Sequence, residues 1–177
     1  MVTKRGWNVD IRWSYFGVTE AFLESKAAWL EEERDLHQQS AHFFRLAGKL
    51  VSLSRDDYEL ASLAFFQAII GLERALRLHF SAEDTDKFAD LLGRAVAEEI
   101  VTDAVFSDVR PIPKELRRHF KSTVPTHSHA LAILVPKLRN QFMHGTYLLS
   151  PEYLHLTIQM REVADALKTK ITRPAEH

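Results

Sequence analysis

The stretch from Leu60 to Leu76 reads LASLAFFQAIIGLERAL, and it decides the fold. On a helix its apolar side chains cover almost all sides, which a protein in water tolerates only when other helices pack around it. The preceding residues 54–57, SRDD, resemble a capping box and predict that this helix starts just after Ser54 and runs to about Phe80. We therefore expect a bundle of α-helices with this helix at its centre.

The chain before this helix also has the three- and four-residue spacing of apolar side chains that is typical of helices. From Thr19 to Leu53 the pattern predicts either one long helix or two helices with a break near Leu36. Four aromatic residues further upstream are expected to fold back onto the bundle or onto a second subunit: Trp7, Trp13, Tyr15 and Phe16.

The chain directly after the central helix is predicted to hold one regular helix and then an irregular insertion. Residues 81–84, SAED, repeat the start signal for a third helix that extends to Ile100. The regularity falls over residues 102–125, where Pro113 predicts the start of a short helix that reaches about residue 121.

Two further helices complete the pattern. Residues 130–142 predict a helix in which Pro136 causes a kink or begins a new helix, and Gly145 predicts its end. Residues 150–152, SPE, then supply an N-cap, a first-turn proline and an early acid for the last helix, which reaches Ile171.

The composition is that of one compact domain. The chain has 177 residues, 46% of them hydrophobic and 27% charged, and it shows no internal repeat and no long linker. We expect a single all-α domain, an up-and-down helical bundle, over residues 1–177. Within it, residues 1–53 are an N-terminal helical extension, residues 54–171 are the bundle and residues 172–177 are a tail.

Several classes of protein are excluded by the same counts. The chain has no cysteine, which excludes thiolate zinc sites, iron–sulfur clusters, cysteine nucleophiles and disulfides, and which fits the cytoplasm. The longest nearly apolar stretch, from Leu60 to Leu72, is too short to span a bilayer, so no membrane association is expected. With 24 acidic and 23 basic residues, binding to nucleic acid requires a local basic surface.

The segment 138–145, LRNQFMHG, joins a cation, an amide and an imidazole at the end of one helix. Arg139 suits a phosphate that gains charge in a transition state, and His144 suits proton transfer near neutral pH. RNA carries its own nucleophile, the ribose 2′-hydroxyl, so such a pair suits phosphodiester cleavage without a metal or other cofactor.

The spacing of this pair imposes two conditions. Five residues on an ideal helix are roughly 140° of rotation, so Arg139 and His144 share a face only if the helix ends or unwinds between them, and Gly145 offers such an end. One histidine serves poorly as both base and acid, so we expect two copies to meet in a symmetric homodimer.

The segment resembles the Arg-x(4–6)-His signature of HEPN domains, with Asn140 in the favoured place after the arginine. HEPN domains are all-helical bundles whose motif precedes a last long helix, and residues 66–77 are similar to their early central helix. The resemblance covers about residues 54–171 and implies a metal-independent endoribonuclease that is active as a dimer. Such enzymes belong to toxin–antitoxin, phage-defence and RNA-processing systems, so an antitoxin or a regulatory protein is a further expected partner.

One feature of some HEPN toxins is missing. Toxins silenced by nucleotidylation carry the modified tyrosine two residues after the histidine, where this chain has Thr146, and Tyr147 is one residue further on. Silencing by nucleotidylation of this tyrosine is therefore not expected for this chain. Tyr147 is expected either to stack on a base or to act as a hydrophobic staple for the last helix.

Each of the site residues also has a purely structural interpretation. Arg139 can bond helix carbonyls, His144 can cap the helix beside Gly145, and Asn140 can cap its own turn instead of assisting the chemistry. Glu73 is a supporting residue of the cleft or simply the ion-pair partner of Arg77, four residues on. The alternative function is a non-catalytic HEPN-like module that binds RNA, a nucleotide or a partner protein.

Two further clusters of cationic or histidine side chains stand out in the sequence. A basic run is either an RNA-binding surface or an ordinary solvated face: Arg110, Lys114, Arg117, Arg118 and Lys121. His127 and His129 form a His-x-His pair, but alternate positions on a helix diverge and no third ligand lies nearby in sequence. No metal site is therefore expected.

Overall fold

A computed structural model describes residues 9–33, 36–109, 126–145 and 150–171 of the chain. These ranges contain seven α-helices, one 3-10 turn and no strand, which confirms the predicted all-α class for this part of the protein. In chain order the helices are α1 (Ile11–Tyr15), α2 (Glu20–Glu31), α3 (Gln38–Leu53), α4 (Leu60–Phe80), α5 (Phe88–Ala97), α6 (His127–Met143) and α7 (Glu152–Ile171). The 3-10 turn, Asp103–Val105, lies between α5 and α6.

Helix α4 lies at the centre and packs against α3, α5, α6 and α7. Seven of its side chains have no exposed surface: Ala64, Phe65, Ala68, Ile69, Leu72, Ala75 and Leu76. Gly71 allows α3 to pass close by, since a Cβ there would lie 2.9 Å from the ring of Phe44. The predicted central position of this helix is confirmed.

The first helices share the core of the rest of the chain. The predicted segment 19–53 is two helices, α2 and α3, and the break falls around Leu36 as expected. Trp13 is fully buried, and its indole N–H donates to the carbonyl of Ser54. Tyr15 and Phe16, in contrast, are 77% and 50% exposed, so the prediction holds for Trp13 but not for these two. Trp7 lies outside the described residues.

The two predicted serine start signals are wrong. Ser54 ends α3, where its hydroxyl donates to the carbonyl of Val51, and α4 begins only at Leu60. Ser81 ends α4 in the left-handed conformation, and α5 begins at Phe88. Serine bonds either to N–H groups ahead of it or to carbonyls behind it, so an S-x-x-D pattern does not by itself separate the start of a helix from its end.

Gly145 and Ser150 mark the end of α6 and the start of α7 as predicted, whereas Pro136 does not begin a new helix. Helix α6 continues through Pro136, and it ends at His144 and Gly145, whose φ of +68° is in the left-handed region that glycine favours. The hydroxyl of Ser150 accepts the N–H of Glu152 at 3.3 Å at the start of α7. Within the ranges that the structure covers, none of the helices has the length and apolarity needed to cross a membrane.

Candidate active site

The end of α6 is held in place by aromatic packing. The ring of Phe142 stacks on Phe66 of α4 at 5.7 Å between centroids, and it meets Phe65 and Tyr153 edge-on at 5.9 and 5.4 Å. Tyr153 belongs to α7, so this one side chain anchors the motif to two neighbouring helices. The sequence shows that Phe142 continues the apolar pattern of its helix, but it does not show which residues Phe142 contacts.

Arg139 forms an ion pair with Glu73 of α4. Its Nε donates to Oε2 of Glu73 at 3.1 Å, and its Nη2 lies 3.0 Å from the same oxygen. The other carboxylate oxygen, Oε1, accepts from Nη2 of Arg77 at 3.1 Å, so the predicted Glu73–Arg77 pair is confirmed. Glu73 therefore bridges two guanidinium groups, of which only one was expected.

The surroundings fix this carboxylate firmly. The side chains of Glu73 and Arg77 are 16% and 14% exposed, and Arg77 also donates to the carbonyls of Glu83 and Asp86 in the loop after α4. The side chain of Arg139 is 35% exposed. A guanidinium has more N–H donors than one carboxylate oxygen accepts, so Arg139 retains donors for an anionic ligand.

Removing the charge of Glu73 should cost stability. For Glu73→Gln we expect the free energy of unfolding to fall by about 1–3 kcal/mol, because glutamine has no negative charge and offers an acceptor oxygen to only one of the two guanidinium groups. The measurement is urea unfolding. The matched control is Glu98→Gln, which breaks an i,i+4 pair with Arg94 whose side chains are about half exposed and should cost at most about 0.5 kcal/mol. Equal losses in the two variants would contradict a special role of this carboxylate.

His144 is exposed and lies directly after the last helical residue of α6. Its backbone N–H still donates to the carbonyl of Asn140 at 3.1 Å, so the helix does not unwind between Arg139 and His144. The angle of roughly 140° between the two side chains is therefore kept, and the swing of His144 toward the side of Arg139 is not observed. Arg139 faces α4, whereas His144 continues the helix face of Asn140 and Lys137.

Asn140, which is also exposed, lies at the edge of a groove between α5 and α6 with a volume of about 540 Å³. We call this the α5–α6 groove. It is lined by Ala89, Gly93 and Ala97 of α5 and by Ala132, Pro136 and Asn140 of α6, with further residues between them. The sequence hinted at it through the small residues four positions apart on α5, but the packing of α5 on α6 is a property of the fold.

The start of α6 is fixed by a carboxylate. Asp103 accepts the backbone N–H groups of His127 and Ser128 at 3.1 and 2.9 Å. Burial alone raises the pKa of the Asp103 carboxyl, but these hydrogen bonds outweigh it, and the pKa lies below its usual value.

A buried polar cluster that the sequence did not reveal joins α6 to α7. Nε2 of Gln159, a residue that is 1% exposed, lies 2.7 Å from Nε2 of His127 and 2.9 Å from Nε2 of His155. His129 has a different partner, since its Nδ1 is 2.6 Å from the hydroxyl oxygen of Thr126. The two histidines of the His-x-His pair therefore diverge. In the described part of the chain no group of three His, Asp or Glu residues is suited to a metal ion.

The predicted basic run lies outside the described residues, as do Tyr147 and the short helix predicted to start at Pro113; the run consists of Arg110, Lys114, Arg117, Arg118 and Lys121. The structure thus joins Glu73 to Arg139, keeps His144 on another side of the same helix end, and puts Asn140 on the edge of the α5–α6 groove.

Comparisons with protein-family models, with curated proteins and with solved structures give no match for this chain. The resemblance to HEPN domains therefore stays a prediction.

Proposed function

We propose that this chain is a metal-independent endoribonuclease of HEPN type that acts as a homodimer. His144 transfers protons, Arg139 stabilises the charge that develops on the phosphate, and Asn140 assists in positioning the RNA. The nucleophile is the ribose 2′-hydroxyl next to the scissile phosphate. One His144 takes the proton of this hydroxyl as its oxygen attacks phosphorus, and the His144 of the second copy gives a proton to the leaving 5′-oxygen. The products are a 2′,3′-cyclic phosphate and a free 5′-hydroxyl.

The observation that carries the proposal is the ion pair of Arg139 with Glu73, near the end of the helix that also carries the exposed His144. A partly exposed guanidinium whose orientation is fixed by a largely buried carboxylate is a preorganised site for a phosphate oxygen. The imidazole lies at the end of the same helix, which aromatic packing of Phe142 anchors. The cation and the proton carrier therefore sit on a rigid part of the fold.

The angle between the two side chains supports the proposed dimer. In one chain Arg139 and His144 point in directions roughly 140° apart, so one phosphate does not easily contact both. A second copy related by a twofold axis brings the His144 of one chain to the Arg139 of the other, and it also supplies both an acid and a base. The proposal thus requires RNA and a second copy as partners. An antitoxin or a regulatory protein in a cytoplasmic toxin–antitoxin, defence or RNA-processing system is consistent with it.

One observation favours a second candidate function. The ion pair with Glu73 already gives Arg139 a structural partner, as expected for a non-catalytic HEPN-like module that binds RNA, a nucleotide or a partner protein. Such a module binds its ligand without cleaving it.

The deciding experiment is incubation of the purified protein with end-labelled single-stranded RNA in excess chelator. We expect cleavage with cyclic-phosphate and 5′-hydroxyl ends, and no cleavage of DNA of the same sequence because DNA lacks the nucleophile. Cleavage that appears only when a divalent metal is added would overturn the mechanism. A folded dimer that binds RNA and cuts none of it would favour the second candidate.

A further inference from the structure

The α5–α6 groove has the size and the lining of a site for a small, partly flat ligand. Its volume of about 540 Å³ falls within the usual range of ligand pockets, roughly 300–1,000 Å³. Most of its lining residues are small or apolar, among them Ala89, Gly93 and Ile133. A nucleobase is a flat ligand that packs well against such apolar surface.

The proline of α6 adds a hydrogen-bond acceptor to the groove. Pro136 has no N–H, so the carbonyl of Ala132, four residues earlier, lacks the helical donor that any other residue at position 136 would supply. Both residues line the groove. A backbone carbonyl freed in this way can accept from an exocyclic amine or a ring N–H of a base, since every standard RNA base carries at least one such donor.

The charges at the rim suit a phosphate. The polar side chains that line the groove are those of His129, Lys137 and Asn140, and none of its described lining residues is acidic. Lys137 is exposed, so its ammonium group can move over the groove to reach an anion.

The groove also leads to the candidate active site. Ile133, Lys137, Asn140 and His144 follow one another at four-, three- and four-residue steps, which places them along one face of α6. Asn140 belongs to both sites: it lines the groove and precedes His144 by one helical turn.

From these observations we infer that the α5–α6 groove binds one nucleotide of the RNA substrate, with the base between α5 and α6 and the phosphate near Lys137. The inference rests on the proposed ribonuclease function and adds a subsite to it. The carbonyl of Ala132 accepts a donor of the base, the side chain of Asn140 contacts the base or ribose, and the next phosphate along the strand is directed toward His144.

The test fills the groove without disturbing the helix. A Cβ at Gly93 would meet no atom within 4 Å, so Gly93→Leu projects into the groove, and leucine is a better helix former than glycine. Binding of a labelled RNA trinucleotide and of a free nucleoside monophosphate is measured on protein that also carries His144→Ala, so that no RNA is cut. We expect the Kd for both ligands to rise at least tenfold. The control is Ala28→Leu on the exposed side of α2, which should leave both Kd values unchanged.

A second variant separates binding from stability. Pro136→Ala restores a donor for the carbonyl of Ala132, so it should raise the melting temperature and at the same time raise the Kd for nucleotides about fivefold. Lys137→Ala should weaken binding of the monophosphate but not of the matching nucleoside. The control Lys49→Ala removes an exposed lysine of α3 and should change neither.

The outcomes distinguish this inference from the proposed function. Wild-type protein that cleaves RNA, together with unchanged nucleotide affinity in Gly93→Leu, overturns the inference and leaves the ribonuclease standing. Nucleotide affinity that is lost in Gly93→Leu, together with a wild type that cuts no RNA, overturns the ribonuclease alone. If Gly93→Leu weakens the dimer but not nucleotide binding, the groove is an interface between copies. If the protein binds the monophosphate but not the trinucleotide, the groove is a site for a free nucleotide. Either result overturns the inference.

Discussion

Replacement of His144 by alanine is expected to lower the rate of RNA cleavage by about 10²–10⁴-fold, the usual contribution of a general acid or base. The imidazole is exposed, and the interaction at this position that supports α6 is made by the backbone N–H, which alanine retains. The free energy of unfolding should therefore change little. The measurement is the initial rate at saturating RNA in chelator, with urea unfolding of the same preparation.

The matched control is His42→Ala, which removes another exposed imidazole, on α3. Its cleavage rate should equal that of the wild type. Equal rates for wild type and His144→Ala would mean that the activity belongs to another site or to a contaminant, and the roles proposed for Arg139 and Asn140 would lose their basis. A rate that falls by the same factor in both histidine variants would point to a general effect of losing surface imidazoles.

The helices themselves could be predicted because their signals are local. The position of α4 follows from an apolar stretch that only a surrounded helix can carry. The end of α6 follows from Gly145, and the start of α7 follows from Ser150. The starts after Ser54 and Ser81 could not be predicted, because a serine hydroxyl bonds in either direction along the chain and tertiary packing decides which bond forms.

Only part of the candidate site could be predicted from the sequence, because some of its contacts join residues that are far apart along the chain. The Glu73–Arg77 pair lies within one helix turn and could be predicted, whereas Arg139 reaches the same carboxylate from 66 residues away. The contact of Gln159 with His127, 32 residues away, and the meeting of α5 with α6 are long-range in the same sense. Periodicity shows which face of a helix is apolar, but not which helix will cover it.

The second large effect is expected for Arg161, whose side chain is almost completely buried in α7. Its Nε donates to Asp165 at 2.8 Å, and its Nη1 donates to the carbonyls of Trp29 and Leu30 at 3.1 and 2.9 Å, at the end of α2. The guanidinium also lies 5.2 Å from the ring centroid of Trp29. For Arg161→Met we expect the free energy of unfolding to fall by about 3–5 kcal/mol, because the two carbonyls of α2 lose a buried donor and the partly exposed carboxylate of Asp165 loses its ion pair.

The measurements for Arg161→Met are urea unfolding and thermal unfolding, both followed by circular dichroism. In the thermal measurement we expect the melting temperature to fall by about 10 °C for a domain of this size. Arg94→Met is the control, since Arg94 forms the same i,i+4 type of pair with Glu98 but with its side chain 56% exposed, and it should cost less than about 1 kcal/mol.

The result for Arg161→Met also bears on how the chain is organised. Arg161, in α7, donates hydrogen bonds to carbonyls at the end of α2. Helix α2 is therefore attached to the bundle by hydrogen bonds as well as by the shared hydrophobic core. If the first 53 residues were a separable extension, breaking this tie would leave the unfolding of the bundle nearly unchanged and would release α2 in a separate early transition. A single cooperative transition at lower urea would instead show that α2 and α7 unfold together. In that case, truncation of the chain before α4 should destabilise α7 and, through Tyr153 and Phe142, the end of α6 that carries Arg139 and His144.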